Sequence, residues 1–299
     1  MHRKLFNRYR TYKFEVAICC IVKDEEYLQE WVEYHAEIAV THFYIYDNGS
    51  ATPVNETLKT YIDKGLVTVI AFPGIVMQLP AYEHCLKHYG HLCKWIAFID
   101  ADEFIVPKTL TGNLPEFLVD YEPYGGLGVN WLVFGSNGHI NKPHDTQLKS
   151  YTRRGLKSNP VNEHVKSIIQ PRYVTQTSGP HHFGYKKKKF SVNENFNAFT
   201  GPFSAHSTNK IQINHYFLRS EADFIQKRER GRADTSAAEH QRSMDDFYET
   251  DKNANLIVDE SILEVQMLIR QIKTGVKQVS LLKFKEGVDF NFSEKEKNL

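Results

Sequence analysis

The most restrictive feature of this sequence is the alternation of apolar runs and amphipathic segments between residues 15 and 107. Residues 16–22 and 95–99 are continuous apolar runs, as expected for strands that are covered on both faces. Amphipathic segments separate these runs, and Asp24 has the position and chemistry of an N-cap for the first predicted helix. Strands that alternate with helices are typical of a mainly parallel sheet with helices packed against it. We therefore predict an α/β fold.

The remaining elements are shorter, and after residue 107 the pattern loosens. Apolar alternation and helical periodicity predict them from the sequence in the same way. Further strands are predicted at residues 42–46, 66–71, 128–134, 165–170 and 211–217, and further helices at 53–64, 80–92, 220–229 and 259–273.

Composition excludes several classes of protein. Hydrophobic residues make up 41% of the 299 residues and charged residues 24%, which is the balance of a folded globule. Lys and Arg number 37 against 36 Asp and Glu, so no excess of positive charge is available to coat a polyanion. Nucleic acid is therefore not an expected partner.

The apolar run at residues 16–22 is far shorter than the roughly 20 residues that span a bilayer, and no signal-peptide pattern precedes it. This predicts a cytoplasmic protein. The adjacent Cys19 and Cys20 fall in a predicted strand, where they point to opposite faces and suit two packing environments better than a disulfide. Cys85 and Cys93 lack metal-ligand spacing.

A pair of aspartates follows the last apolar run of the alternating region. Asp100 and Asp102 come directly after residue 99, and ligands of open α/β sheets collect outside the carboxyl ends of the strands. In extended backbone, residues i and i+2 project to the same side, so two carboxylates there can hold one Mg²⁺ or Mn²⁺ ion. The motif is short and recurs by chance. The alternative, that both carboxylates cap a turn, stays open.

Other polar residues are predicted at the same edge. Asp47 ends the second strand, where its carboxylate can accept hydrogen bonds from a base N–H or a ribose hydroxyl, or can form an Asx-turn. Lys23, Asp24 and Glu25 begin the first helix and offer either ligand contacts or capping.

Several sequence blocks, taken together, resemble glycosyltransferase family 92 and related family 2-like enzymes of the GT-A fold. The resemblance implies an α/β domain with a Rossmann-like nucleotide-binding half, which transfers a sugar from a nucleotide donor in a metal-dependent reaction. The donor would be a UDP-sugar, often UDP-galactose, and the reaction would invert the anomeric carbon. The blocks that carry the resemblance are residues 18–25, 28–35, 42–48, 98–104, 130–139, 164–171 and 213–217.

The resemblance also assigns roles to individual residues. Asp100 and Asp102 match the motif for metal and diphosphate, and Asp47 matches the acid that contacts the nucleoside, beside the turn at Lys23, Asp24 and Glu25. His215 matches a metal ligand, although its apolar neighbours in a predicted strand are equally typical of a core histidine. His181, His182 and His206 are weaker alternatives. Asp24 departs from the pattern, because relatives often have Asn there.

A second group of residues is expected to bind acceptor and diphosphate or to act as a base. The acceptor residues implied by the resemblance are Trp131, Phe134, Asn137 and His139, with core aromatics and a plain turn as the alternative. Arg and Lys match phosphate oxygens, and the candidates are Lys166 and Arg230, followed by Arg228 and Arg232. An inverting transfer needs a general base, for which the candidates are Glu163 and then Asp234.

These assignments divide the chain into four segments. Residues 1–14 form a basic extension, 15–110 the nucleotide-sugar and metal half, 111–275 the acceptor half, and 276–299 a tail. The expected cofactor is Mn²⁺ or Mg²⁺ and the expected acceptor is a glycan or glycolipid. The basic extension predicts peripheral contact with the inner face of a membrane. Two alternatives remain open: a carbohydrate-binding protein without catalysis, and a Mg²⁺-dependent phosphoryl-transfer enzyme.

Overall fold

A computed structural model describes residues 11–186, 188–231 and 242–275 of the chain. The strands in these residues are β1 (Phe14–Val22), β2 (His42–Asp47), β3 (Val67–Ala71), β4 (Cys93–Phe98), β5 (Glu103–Pro107), β6 (Gly126–Val133), β7 (Arg153–Arg154), β8 (Val165–Ile169), β9 (Val174–Thr177), β10 (Phe183–Tyr185), β11 (Ser191–Val192), β12 (Ala198–Phe199), β13 (Ile211–His215) and β14 (Ile257–Val258). The helices are α1 (Leu28–Glu37), α2 (Val54–Thr57), α3 (Lys59–Asp63), α4 (Gln78–Tyr89), α5 (Leu114–Leu118), α6 (Gln147–Ser150), α7 (Glu221–Glu229), α8 (Met244–Ala254) and α9 (Ser261–Lys273).

A central sheet organises the molecule. Among the described residues ten strands join it, and β3, β2, β1 and β4 lie side by side in parallel. The antiparallel strand β8 separates β4 from β6, and β13 pairs in parallel with β6 and antiparallel with β5. The result is a mixed but mainly parallel sheet flanked by helices. The predicted fold class is confirmed.

The β1 strand is buried on both faces because helices cover each side of the sheet. Ile18 and Cys20 contribute to the apolar cluster that includes Trp31 of α1. Cys19 contributes to the cluster on the other side, with Tyr82 of α4. The predicted separation of the adjacent cysteines is therefore confirmed, and all four cysteines of the chain are free and buried.

Local structure around the first helix differs from the prediction. The helix begins at Leu28, not after Asp24, and Asp24 adopts φ +50° in the preceding turn. Its Oδ1 accepts a hydrogen bond from the N–H of Ala51 at 2.7 Å. The predicted N-cap is wrong because this carboxylate bonds to the neighbouring loop instead. The helix predicted at 53–64 is likewise divided into α2 and α3.

The longest helix of the described residues, α9, has 13 residues, whereas a membrane-spanning helix needs about 20. Within the described ranges, no helix combines the length and the apolar character that crossing a bilayer requires. The predicted location and the predicted membrane contact stay predictions. The N-terminal extension up to residue 10 and the tail from residue 276 lie outside the described residues.

Candidate active site

A cavity of about 860 Å³ opens where β1 and β4 end. This is the edge at which ligands of parallel α/β sheets bind, and the volume is that of a typical small-molecule site. Asp100 and Asp102 both line it, together with Lys166 of β8 and His215 of β13. The topology thus brings residues from three separate segments to one place.

Asp100 is held by two donors. Its Oδ2 accepts from Lys166 Nζ at 2.8 Å and its Oδ1 from Gln78 Nε2 at 2.8 Å. Behind it, the buried Glu103 accepts the N–H of Asp100 at 2.9 Å and lies 3.6 Å from Lys166 Nζ. Burial alone would lower the pKa of Lys166, but Asp100 and Glu103 outweigh it and raise that pKa. Lys166 is therefore a fixed positive charge in the cavity floor.

Asp102 is paired with a lysine from a different helix. Lys227 of α7 contacts Asp102 Oδ2 and donates to the carbonyl oxygen of Phe217 at 3.0 Å. Burial would raise the pKa of Asp102, yet the charges of Lys227 and Arg219 hold it well below its usual range. Burial lowers the pKa of Lys227 to about 8, and the nearby Arg242 acts in the same direction. Asp102 is a carboxylate at neutral pH.

The two aspartates are not arranged as predicted. Asp100 and Asp102 flank a turn closed by the Glu103 N–H and the Asp100 carbonyl oxygen at 3.1 Å, rather than extended backbone. Each carboxylate contacts a different lysine. In the part of the chain that the structure describes, no group of three or more His, Cys, Asp or Glu side chains is placed to hold a metal ion.

Asp102 and His215 nevertheless carry donor atoms that suit a divalent ion. His215 Nε2 lies 3.7 Å from Asp102 Oδ1, and its buried Nδ1 has no hydrogen-bond partner among the described residues. Burial lowers the pKa of His215 to about 3, so the imidazole is neutral at pH 7. A neutral imidazole beside a carboxylate fits Mn²⁺ chemistry. His181 lines the cavity as well, but its Nδ1 pairs with the Val165 carbonyl oxygen at 2.9 Å.

Two residues predicted to contact the nucleoside are used by the loop instead. Asp47 accepts the N–H groups of Ser50 at 2.8 Å and Val54 at 3.2 Å. Neither Asp47 nor Asp24 lines the cavity, whereas Lys23 and Asn48 do. The structure thus shows the Asx-turn alternative for Asp47 and corrects both predicted side-chain contacts.

Glu25 and Arg230 lie on the cavity wall, where they hold two elements together. Glu25 Oε1 accepts from the buried Arg219 at 2.6 Å, and Glu25 Oε2 lies 3.4 Å from Arg230. Arg230 also donates to the carbonyl oxygens of Lys23 at 2.9 Å and Asp24 at 2.7 Å. These bonds join the end of α7 to the loop after β1. Arg228 does not line the cavity, and Arg232 lies outside the described residues.

Of the four predicted acceptor residues, Trp131 alone lines the cavity. It stacks on His164, with ring centroids 4.9 Å apart. Phe134 is fully buried and packs against Tyr216, so its prediction is wrong. Alternation along β6 explains this outcome, because residues 131 and 133 share the cavity face and residues 132 and 134 the opposite face.

Asn137 and His139 stabilise a turn outside the cavity wall. Asn137 Nδ2 donates to Thr152 Oγ1 at 3.1 Å, and His139 Nε2 lies 3.2 Å from the Ser150 carbonyl oxygen. These contacts correct both acceptor predictions.

The two predicted general bases, Glu163 and Asp234, have different outcomes. Glu163 is exposed and does not line the cavity, although its neighbours Asn162 and His164 do. Its carbonyl oxygen accepts from Asn130 Nδ2 at 3.2 Å. Asp234 lies outside the described residues. The structure therefore does not bring Glu163 to the cavity wall, and the role of Asp234 stays a prediction.

Lys227 is a cavity residue that the sequence reasoning missed. Phe224, three residues earlier in α7, is fully buried. Residues three apart share a helix face, so this spacing directs Lys227 inwards and separates it from its neighbour Arg228. Helical periodicity, applied to the predicted helix at 220–229, was the signal that could have found it.

A mainly parallel sheet with a charged cavity at the carboxyl ends of its strands defines the class of open-sheet α/β ligand-binding enzymes. Within that class, this chain belongs to glycosyltransferase family 92. The family model, described as "Glycosyltransferase family 92", matches residues 12–216.

Curated relatives agree with this assignment. A glycosyltransferase family 92 protein of Ricinus communis is 31% identical over 178 residues, which are 56% of this chain and 31% of that protein. The galactan beta-1,4-galactosyltransferase GALS3 of Arabidopsis thaliana is 32% identical over 50% of this chain and 32% of its own length. The chain thus spans about a third of the length of these relatives.

Similarity to solved structures is limited. A structure of S. aureus TarS 1–349 in complex with UDP overlaps 52% of this chain and 47% of that chain, at 15% identity and a TM-score of 0.37.

Proposed function

We propose that this chain is a metal-dependent glycosyltransferase that moves a sugar from a UDP-sugar to a glycan or glycolipid acceptor, with inversion at the anomeric carbon. The observation that carries the proposal is the juxtaposition of Asp102, His215 and Lys227 at the sheet edge of a family 92 domain. The relatives named galactan beta-1,4-galactosyltransferase favour galactose as the transferred sugar.

The donor would lie across the ends of β1 and β4. Lys23 and Asn48 form the wall on the side of β2, and Asn48 is fixed there because its Oδ1 accepts the Gly74 N–H at 2.8 Å. Lys166 and Lys227 both line the cavity and contribute two ammonium groups to its wall. Positive groups at this position would stabilise the charge that develops on a departing diphosphate.

The metal would be held by Asp102 and His215, with Asp100 beside them. A divalent ion supplies further charge neutralisation to the leaving diphosphate. Lys166 keeps Asp100 and Glu103 in place whether or not the ion is bound, because it is buried against both carboxylates. Lys166, Lys227 and the ion would therefore all stabilise the negative charge of the leaving diphosphate.

The transfer would be a single displacement. The acceptor hydroxyl attacks the anomeric carbon from the side opposite to the diphosphate, which explains the inversion. Trp131 and His164, stacked on the cavity wall, supply apolar ring surface of the kind that packs against a sugar. The hydroxyl must lose its proton to a base in the course of the attack.

A screen of UDP-sugars with Mn²⁺ tests the proposal. We expect one donor, with UDP-galactose tried first, to release free UDP, and the release to accelerate on addition of β-galactan oligosaccharides. Release of orthophosphate instead of UDP would identify a phosphoryl-transfer enzyme. Saturable glycan binding without affinity for UDP and Mn²⁺ in titration calorimetry would identify a carbohydrate-binding protein and overturn the proposal.

A further inference from the structure

Glu249 of α8 is an acidic side chain on the cavity wall. Within the described ranges, the carboxylates that line the cavity are Glu25, Asp100, Asp102 and Glu249. The first three are each bound to a lysine or arginine. Glu249 alone among these four forms no side-chain hydrogen bond or ion pair with a described residue. It is therefore the carboxylate that is available to a ligand.

Glu249 shares its helix face with a second cavity residue. Asn253, four residues later, also lines the cavity, so both side chains belong to one face of α8. The backbone of α8 packs directly on Gly155, in the segment after β7. A Cβ atom added to Gly155 would lie only 2.9 Å from the Asn253 carbonyl oxygen. Gly155 and Trp131, the aromatic residue proposed to pack against the acceptor sugar, line the cavity as well.

The helix that carries Glu249 is capped at its start and anchored near its end. Ser243 and Asp246 form a capping box at its start. Asp251 accepts from Ser136, both from its N–H at 2.6 Å and from its hydroxyl at 2.9 Å. Asn255 Oδ1 accepts the Asn137 N–H at 2.9 Å. The turn at residues 135–139 thus anchors α8, and a catalytic group on such a support keeps its position.

We propose that Glu249 is the general base of the transfer, an inference that rests on the proposed function. In the step, the Glu249 carboxylate takes the proton of the acceptor hydroxyl while that oxygen forms its bond to the anomeric carbon. The bond from the anomeric carbon to the diphosphate oxygen breaks, and its electron pair leaves with UDP. The step needs no other reactant.

The test compares Glu249→Gln with Asp245→Asn, which removes an exposed carboxylate from the same helix outside the cavity wall. We expect kcat for sugar transfer to fall by about 10²–10⁴ in Glu249→Gln, the usual contribution of a general base. UDP and Mn²⁺ affinities in titration calorimetry stay within about twofold of the wild-type values, since the donor does not need this group. Asp245→Asn keeps wild-type kcat.

Two further readouts separate a base from a structural role. Glu249→Asp should retain a measurable rate and the acidic limb of the pH–rate profile, whereas Glu249→Gln should lose that limb. Azide, a nucleophile with no proton to remove, should consume the donor equally well with wild type and Glu249→Gln.

The outcomes distinguish the two proposals. If the wild type transfers sugar and Glu249→Gln retains its kcat and its acidic limb, the base assignment is overturned and the proposed function stands. A Glu249→Gln protein that loses UDP affinity or fails with azide also overturns it, because the residue then supports the donor site. If no UDP-sugar is consumed by the wild type, both proposals fall.

Discussion

Lys227 and Asp102 form an ion pair in which both side chains are about nine-tenths buried, with 12% and 10% exposure respectively. The pair joins α7 to the turn after β4, and His215 lies against the same carboxylate at 3.7 Å. An ion that binds Asp102 must therefore share that carboxylate with an ammonium group or displace it. The Lys227 ammonium group and the expected metal ion therefore compete for the Asp102 carboxylate.

Replacement of Asp102 by Asn should abolish transfer. The amide keeps the size of the side chain but supplies neither the negative charge nor an anionic metal ligand. We expect UDP release to fall to background and Mn²⁺-dependent UDP binding to be lost in calorimetry, with an unchanged far-UV circular dichroism spectrum. Asp63→Asn, at an exposed ion pair with Lys59, is the matched control and should behave as wild type. Undiminished turnover in Asp102→Asn would refute the assignment.

Replacement of Lys227 by Met should separate metal binding from catalysis. Without the competing ammonium group, Mn²⁺ is expected to bind about tenfold more tightly in the absence of nucleotide, a gain of about 1.4 kcal/mol. Transfer should nevertheless slow, because a positive group that faces the leaving diphosphate is lost. Electron paramagnetic resonance of free Mn²⁺ measures the first effect directly. Unchanged or weaker Mn²⁺ binding would contradict the competition.

The sequence was sufficient for the fold and for the location of the site. Continuous apolar strands such as residues 16–22 and 95–99 identify a buried sheet, and Asp100 follows one of them at the edge where ligands bind. It was not sufficient for the partners of the aspartates. Lys166 and Lys227 are 66 and 125 residues away from the aspartates they pair with, and only tertiary contact reveals such pairs.

Short-range ambiguity explains the other errors. Asp24 and Asp47 are polar residues beside a turn, and local backbone N–H groups compete with a ligand for such carboxylates. In the structure both carboxylates accept hydrogen bonds from the loop: Asp24 from the Ala51 N–H and Asp47 from the Ser50 N–H. Glu249 was missed for a different reason. No helix was predicted where α8 lies, so no periodicity indicated that this carboxylate faces the cavity.

Replacement of Lys166 by Met should lower stability as well as activity. The substitution leaves Glu103 and Asp100 without the cation that compensates them, and breaking a buried pair costs about 3 kcal/mol. Burial already raises the pKa of Glu103 above its ordinary value. We therefore expect this carboxyl to take up a proton in the variant, which removes its uncompensated charge. Urea unfolding at neutral pH measures the loss. Lys59→Met, whose ammonium group is in an exposed pair, should change stability by less than about 0.5 kcal/mol.

Acidification should destabilise the protein through buried histidines, of which His35 is the clearest case. Its Nδ1 pairs with the Trp31 carbonyl oxygen at 2.8 Å, and its Nε2 accepts the Ile105 N–H at 3.2 Å, so the ring must be neutral. Burial lowers the pKa of His35 to about 3, whereas the unfolded chain titrates near the ordinary value of about 6.5. Between these values the unfolded state binds more protons, so stability is complete above about pH 6.5 and falls as the pH drops.

The His35 contribution can be isolated by comparison with His35→Gln, in which no proton is bound in this range. From pH 7 to about pH 4.5, His35 alone should cost the wild type about 2.5 kcal/mol of unfolding free energy, because each pH unit below 6.5 removes about 1.4 kcal/mol. The variant should be less stable at pH 7, since it disturbs two buried hydrogen bonds, but its loss on acidification should be smaller by about that amount. Urea unfolding of both proteins at matched pH values gives the difference. Parallel stability curves for the two proteins would show that His35 is protonated without penalty, and the neutral ring bound between Trp31 and Ile105 would then be the wrong description.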